Sequence, residues 1–107
     1  MARLLRVAAA ADVPTGSGKA IEVEGRLLAI FNAGGGRYYA SSPLCPHEDG
    51  PLADGVVDGP ADRPSIICPW HAFDFDLRTG ACSFDPDLTI PVYPVRVEGA
   101  DLLVELP

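Results

Sequence analysis

Five prolines and three glycines fall within the 24 residues from Ser41 to Pro64 (SSPLCPHEDGPLADGVVDGPADRP). A continuous strand is excluded there, because each proline lacks the amide that a sheet ladder needs. Loops of that length inside a compact domain are functional or disordered. Cys45 and His47 lie in this one, which favours function. Elsewhere the chain breaks into short apolar runs between glycine-rich turns. Arg3–Ala8, Lys19–Glu24, Leu27–Asn32, Arg37–Ala40, Ser65–Ile67, Ala72–Asp76, Val92–Val97 and Leu102–Leu106 read as strands. Gly25-Arg26, Ala33–Gly36 and Glu98–Asp101 read as the turns between three pairs of them. No window has a helical period. The expected fold class is all-β, a small sandwich or barrel-like stack of sheets.

With 107 residues, one compact core is the expectation. The formal charge of −7 comes with eight scattered Lys and Arg. A nucleic-acid partner would need a basic face, and an anionic membrane is disfavoured for the same reason. Arg6 interrupts the only apolar run near the start, so no secretory leader is expected. No window approaches a membrane span. The expected location is the cytoplasm. Gly16-Ser17-Gly18-Lys19-Ala20 imitates the tail of a phosphate-binding loop, but Ala20 stands where a magnesium-binding hydroxyl is needed, so a plain turn is expected. No motif for flavin, nicotinamide or an organic substrate stands out.

The chain has two histidines, and each follows a Cys-Pro dipeptide within three residues of the cysteine: Cys45-Pro46-His47 and Cys68-Pro69-Trp70-His71. Thiolate and imidazole at this spacing can face one point from a tight turn. Two such turns supply two sulfur and two nitrogen ligands. Two readings fit that set. One is tetrahedral zinc; the other is a 2Fe–2S cluster with two cysteines on one iron and two histidines on the other. Zinc motifs keep like ligands paired. Here each loop carries one of each, which favours the two-metal centre. The third cysteine, Cys82, reads as a small buried hydrophobe.

The segments LCPHEDGPLADG, ICPWH and AFDFDLRTG, with IPVYPVRVEGADLLVELP downstream, resemble the Rieske ferredoxins, and the resemblance runs over nearly the whole chain. It implies a Rieske-type fold: a base of antiparallel sheets from residues 1–42 and 86–107, carrying an inserted cluster-binding subdomain, 43–85. It implies one 2Fe–2S cluster per chain, with Cys45 and Cys68 on the inner ferric iron and His47 and His71 on the outer, reducible one. Gly50, Trp70, Phe73, Phe75 and Pro86 would form the cluster's surroundings, Pro86 in a covering loop. The extra cysteine pair of the respiratory-complex branch is absent, since Gly50 and Trp70 stand near those places. Phe73 and Phe75 occupy the positions where high-potential relatives place a serine and a tyrosine hydroxyl. A low reduction potential is therefore expected.

The function so implied is a one-electron carrier between a flavin-dependent reductase and a terminal oxygenase, both transient partners, with no catalysis by the chain itself. The small subunit of an assimilatory nitrite reductase and a structural zinc module are the alternatives. Glu48, Asp49, Asp54, Asp58 and Asp62 would surround the ligand loops and form an acidic rim that steers basic partners.

Overall fold

The computed structural model describes residues 3–44, 51–70, 73–83, 85 and 87–106. Among these residues, ten strands make three antiparallel sheets. They are β1 (Arg3–Ala9), β2 (Gly18–Val23), β3 (Arg26–Gly34), β4 (Arg37–Ser41), β5 (Val56–Asp58), β6 (Ser65–Ile67), β7 (Asp74–Asp76), β8 (Val92–Tyr93), β9 (Val95–Glu98) and β10 (Asp101–Leu106). One sheet runs β1-β10-β9, the second β2-β3-β4-β8, and the third β5-β6-β7. Two single 3-10 turns, Ala10–Asp12 and Leu52–Asp54, are the helical elements among the described residues. None of them is long and apolar enough to cross a membrane.

The central strand is β3, and its sequence explains why. Leu27-Leu28-Ala29-Ile30-Phe31 is a run of apolar residues, the signature of a strand covered on both faces. Successive side chains point to opposite faces. Leu28 and Ile30 enter one core with Ala8, Ile21, Ala40, Leu102, Val104 and Leu106. Ala29 and Phe31 enter the other with Leu52, Ile66, Cys68, Phe75, Leu77, Cys82 and Ile90. The second core lies beneath the small sheet that leads to the cysteine-histidine loops, so β3 fastens that sheet to the rest of the molecule.

Three sequence expectations are corrected. The first hairpin turns at Glu24-Gly25, not Gly25-Arg26, because Val23 pairs with Arg26. Both turn residues have positive φ, 51° and 77°, which matches the twist of a two-residue hairpin. Val92–Val97 is not one strand. It divides at Pro94, where β8 pairs with β4 and β9 with β10. Proline has no amide to give, but its carbonyl accepts from Glu105 N at 3.0 Å, so the chain changes sheets there without losing that bond. The proline-rich stretch also contains a strand. Val56–Asp58 is free of proline and pairs along its length with Ser65–Ile67. The Gly16–Lys19 segment is a plain turn into β2, with Gly16 at φ 83°.

Candidate metal centre

Each cysteine-histidine pair falls in a six-residue stretch of sequence whose bounding residues the structure brings together. The first loop, 45–50, is bracketed by a bridge between Leu44 and Pro51. Leu52 N also donates to Pro43 O at 3.0 Å. The second loop, 68–73, joins β6 to β7, whose ladder ends at Ile67 opposite Asp74. Cys68 N donates to Phe73 O at 2.7 Å and closes it.

The two loop bases are joined through Gly55. From Pro51 the chain makes the 3-10 turn Leu52–Asp54, with Leu52 fully buried, and runs directly into β5. Val56 then pairs with Ile67, the residue before Cys68. A side chain at Gly55 would meet the Ile67 carbonyl oxygen at 2.2 Å. Only glycine lets these two backbones approach so closely. The exit of one loop thus lies against the entrance of the other, and Leu52 anchors the joint in the core.

Of the nine expected site residues the described structure holds four. Cys68 is 1% exposed, in a core with Ile66 and Phe75. Its Sγ accepts the Trp70 backbone amide at 3.4 Å. Trp70, two residues on, is 49% exposed, as a loop-tip aromatic should be. Phe75 is fully buried on β7, opposite Ile66. Phe73 is half-buried and packs against the same core. Cys45, His47, Gly50, His71 and Pro86 lie outside the described residues, as do Glu48 and Asp49. Asp54, Asp58 and Asp62 are exposed.

The described residues fit an iron–sulfur group. An amide aimed at sulfur stabilises negative charge there, the arrangement that iron–sulfur ligands need. Cys82 gives the contrast. It is buried in the same core, bridged to Phe75, and no described donor points at its sulfur. It is the small buried hydrophobe that the sequence implies. The brace through Leu52 and Gly55 was not read from the sequence. Its one signal was Gly55 standing before the proline-free Val56-Val57-Asp58.

Comparison with known proteins agrees with this geometry. The Rieske-like 2Fe-2S domain matches residues 4–105. The 3-phenylpropionate/cinnamic acid dioxygenase ferredoxin subunit of Escherichia coli (strain K12) is 36% identical over 101 residues, 91% of this chain and 88% of that one. Among solved structures, the ferredoxin of carbazole 1,9a-dioxygenase from Nocardioides aromaticivorans IC177 is 34% identical. It superposes with a TM-score of 0.81 over 94% of this chain and 95% of that one. A chain assigned as an NADH-dependent nitrite reductase small subunit from Mycobacterium tuberculosis superposes with a TM-score of 0.90 over 100% and 97%. At 24% identity, that likeness speaks for the fold alone. Two closed loops with paired ligand types, an amide-capped buried cysteine and a match over almost the full length lead to one conclusion: the chain belongs to the Rieske-like 2Fe-2S domain family, whose cofactor is a 2Fe–2S cluster.

Proposed function

We propose that this chain carries single electrons from a flavin-dependent reductase to a terminal oxygenase in the cytoplasm. When bound, a 2Fe–2S cluster supplies one-electron redox chemistry. In this reading Cys45 and Cys68 hold one iron, and His47 and His71 hold the other. Residues 43–85 form the cluster-bearing subdomain on a base of 1–42 and 86–107. The chain's own residues bind the cluster, shield its cysteine side and present its histidine side to partners. The observation that carries the reading is the joining of the two closed loops through Gly55 and the β5–β6 ladder. The relatives at 36% and 34% identity, both ferredoxins of dioxygenases by name, support the oxygenase as acceptor.

The test is spectroscopic. Anaerobically reduced protein should give the electron paramagnetic resonance signal of a mixed cysteine–histidine 2Fe–2S centre, with two irons and two acid-labile sulfides per chain. Zinc in place of iron, without sulfide, would defeat the reading. A tight stoichiometric complex with a large sirohaem-containing chain would replace the shuttle with a fixed subunit.

A further inference from the structure

Away from the ligand loops, a groove of about 550 Å³ opens where the β9 edge, the β4–β8 pair and the turn after β7 meet. That volume falls within the range of small-molecule sites. Its lining is unlike the rest of the surface. All three tyrosines of the chain, Tyr38, Tyr39 and Tyr93, contribute to it. So do two arginines, Arg37 and Arg78, and the exposed inner-face residue Val97. Although the chain carries 15 Asp and Glu, none of the described ones lines the groove.

Both arginines keep most of their guanidinium donors unused among the described residues. Arg3 and Arg6 are closed by carboxylates at 2.5 and 2.9 Å. Arg37 has no carboxylate within 4 Å among the described residues, and Arg78 has only a long contact of 3.5 Å to Asp76. A guanidinium offers five N–H donors in a planar fork, and one such contact leaves most of them unused. The fork matches a carboxylate in two-pronged fashion, and tyrosine rings offer faces for an aromatic ring to stack on. The Tyr39 hydroxyl donates to Ala61 O at 2.8 Å, so it is tied to the loop before β6 and leaves its ring as wall.

We propose that this groove is a binding site for a small aromatic carboxylate, with its anionic end on Arg37 and Arg78 and its ring among the tyrosines. Arg37 belongs to β4 and Arg78 follows β7. A single carboxylate shared by both would therefore cross-link the central sheet to the small sheet that leads to the ligand loops. The sequence offered no motif for an organic ligand, because the five residues come from three separate segments and meet only in the folded chain. The inference does not depend on the electron-carrying role.

Isothermal titration of the cluster-loaded full chain tests it, with 2-naphthoate as the probe, 2-naphthamide as its neutral counterpart and acetate as the charge without the ring. Naphthoate should bind at one site. The amide should bind at least about tenfold more weakly, since a hydrogen bond to a charged group is worth that much or more, and so should acetate, which forgoes the apolar burial and stacking of the ring. Arg37→Gln and Arg78→Gln should each weaken naphthoate about tenfold, while Arg63→Gln, outside the groove, should not. Unchanged cluster absorbance would show that the variants fold. Equal affinity for naphthoate and naphthamide would overturn the proposal. So would full affinity in Arg37→Gln, or no binding up to about 10 mM, a standard free energy of only about −3 kcal/mol.

Discussion

The backbone amide of Trp70 donates to the sulfur of Cys68 while the Trp70 side chain stands half exposed two residues away. One residue thus offers its main chain to the proposed cluster ligand and its ring to the surroundings. Trp70→Ala separates the two roles. The amide survives, so voltammetry should find the midpoint potential unchanged. Association with the oxygenase should weaken about tenfold or more, as truncating a central interface tryptophan does. A shifted potential with undiminished association would contradict this division.

Ligand replacement should be far harsher. Cys45→Ser, Cys68→Ser, His47→Ala and His71→Ala should each prevent cluster assembly, because ligation and ordering of such loops are coupled. Cys82→Ala should retain full iron and sulfide and cost about 1 kcal/mol in thermal unfolding, the usual scale for trimming a small buried side chain. Iron and sulfide analysis of the five variants checks the assignment.

Potential provides a third measurement. Rieske centres span roughly −150 to +300 mV, and donors to the sulfurs raise the value. Neither phenyl ring, that of Phe73 or that of Phe75, can donate, so the wild-type midpoint should fall in the lower half of that span. Phe75 is fully buried. A hydroxyl placed there must find a partner or cost about 1–3 kcal/mol. Phe75→Tyr should therefore raise the midpoint with stability preserved if sulfur is within reach. A stability loss with no change of potential would show that Phe75 serves only the core.

Gly55 gives a structural prediction. A methyl group there meets the Ile67 carbonyl at 2.2 Å and must push the joint apart. Gly55→Ala should cost about 1–3 kcal/mol, the usual range for overpacking, and lower cluster occupancy as well. Gly35→Ala, at φ 63° with nothing within 4 Å, should cost only the left-handed backbone penalty of about 1–2 kcal/mol and leave occupancy unchanged. Melting curves followed at the cluster's visible bands distinguish the two.

Salt dependence checks the acidic rim. Asp54, Asp58 and Asp62 are exposed. If they steer a basic partner, the association rate should fall as the Debye length shrinks from about 10 Å at 0.1 M to about 3 Å at 1 M. Stopped-flow reduction across that range should show the fall; a flat rate would remove steering from the account.

The strands were legible wherever side-chain alternation met a glycine turn, as in β2 to β4 and in β10. The residues proposed as ligands stood out in the sequence because both histidines follow Cys-Pro. Three features were hidden for physical reasons. Glu24 in a left-handed conformation is uncommon for a residue with a side chain, so the first turn read one residue late. The break at Pro94 depends on which neighbour each half-strand finds. Val56–Asp58 gains its strand character only from pairing with β6. The tyrosine–arginine groove draws on residues some forty positions apart and has no local signal.

Arg3 lies opposite Leu106 in the ladder that joins β1 to β10. During synthesis the β2–β4 meander can close soon after it emerges, whereas β1 stays without its partner until the final strand exists. Its apolar Leu4, Leu5 and Val7 are exposed through that interval, when unpaired edges are prone to aggregate. Arg3 and Arg6 bracket those leucines as charged gatekeepers. In the folded chain the same two arginines are closed by Glu24 and Asp101. Charges that keep the waiting strand dispersed thus become the clasps that fasten it.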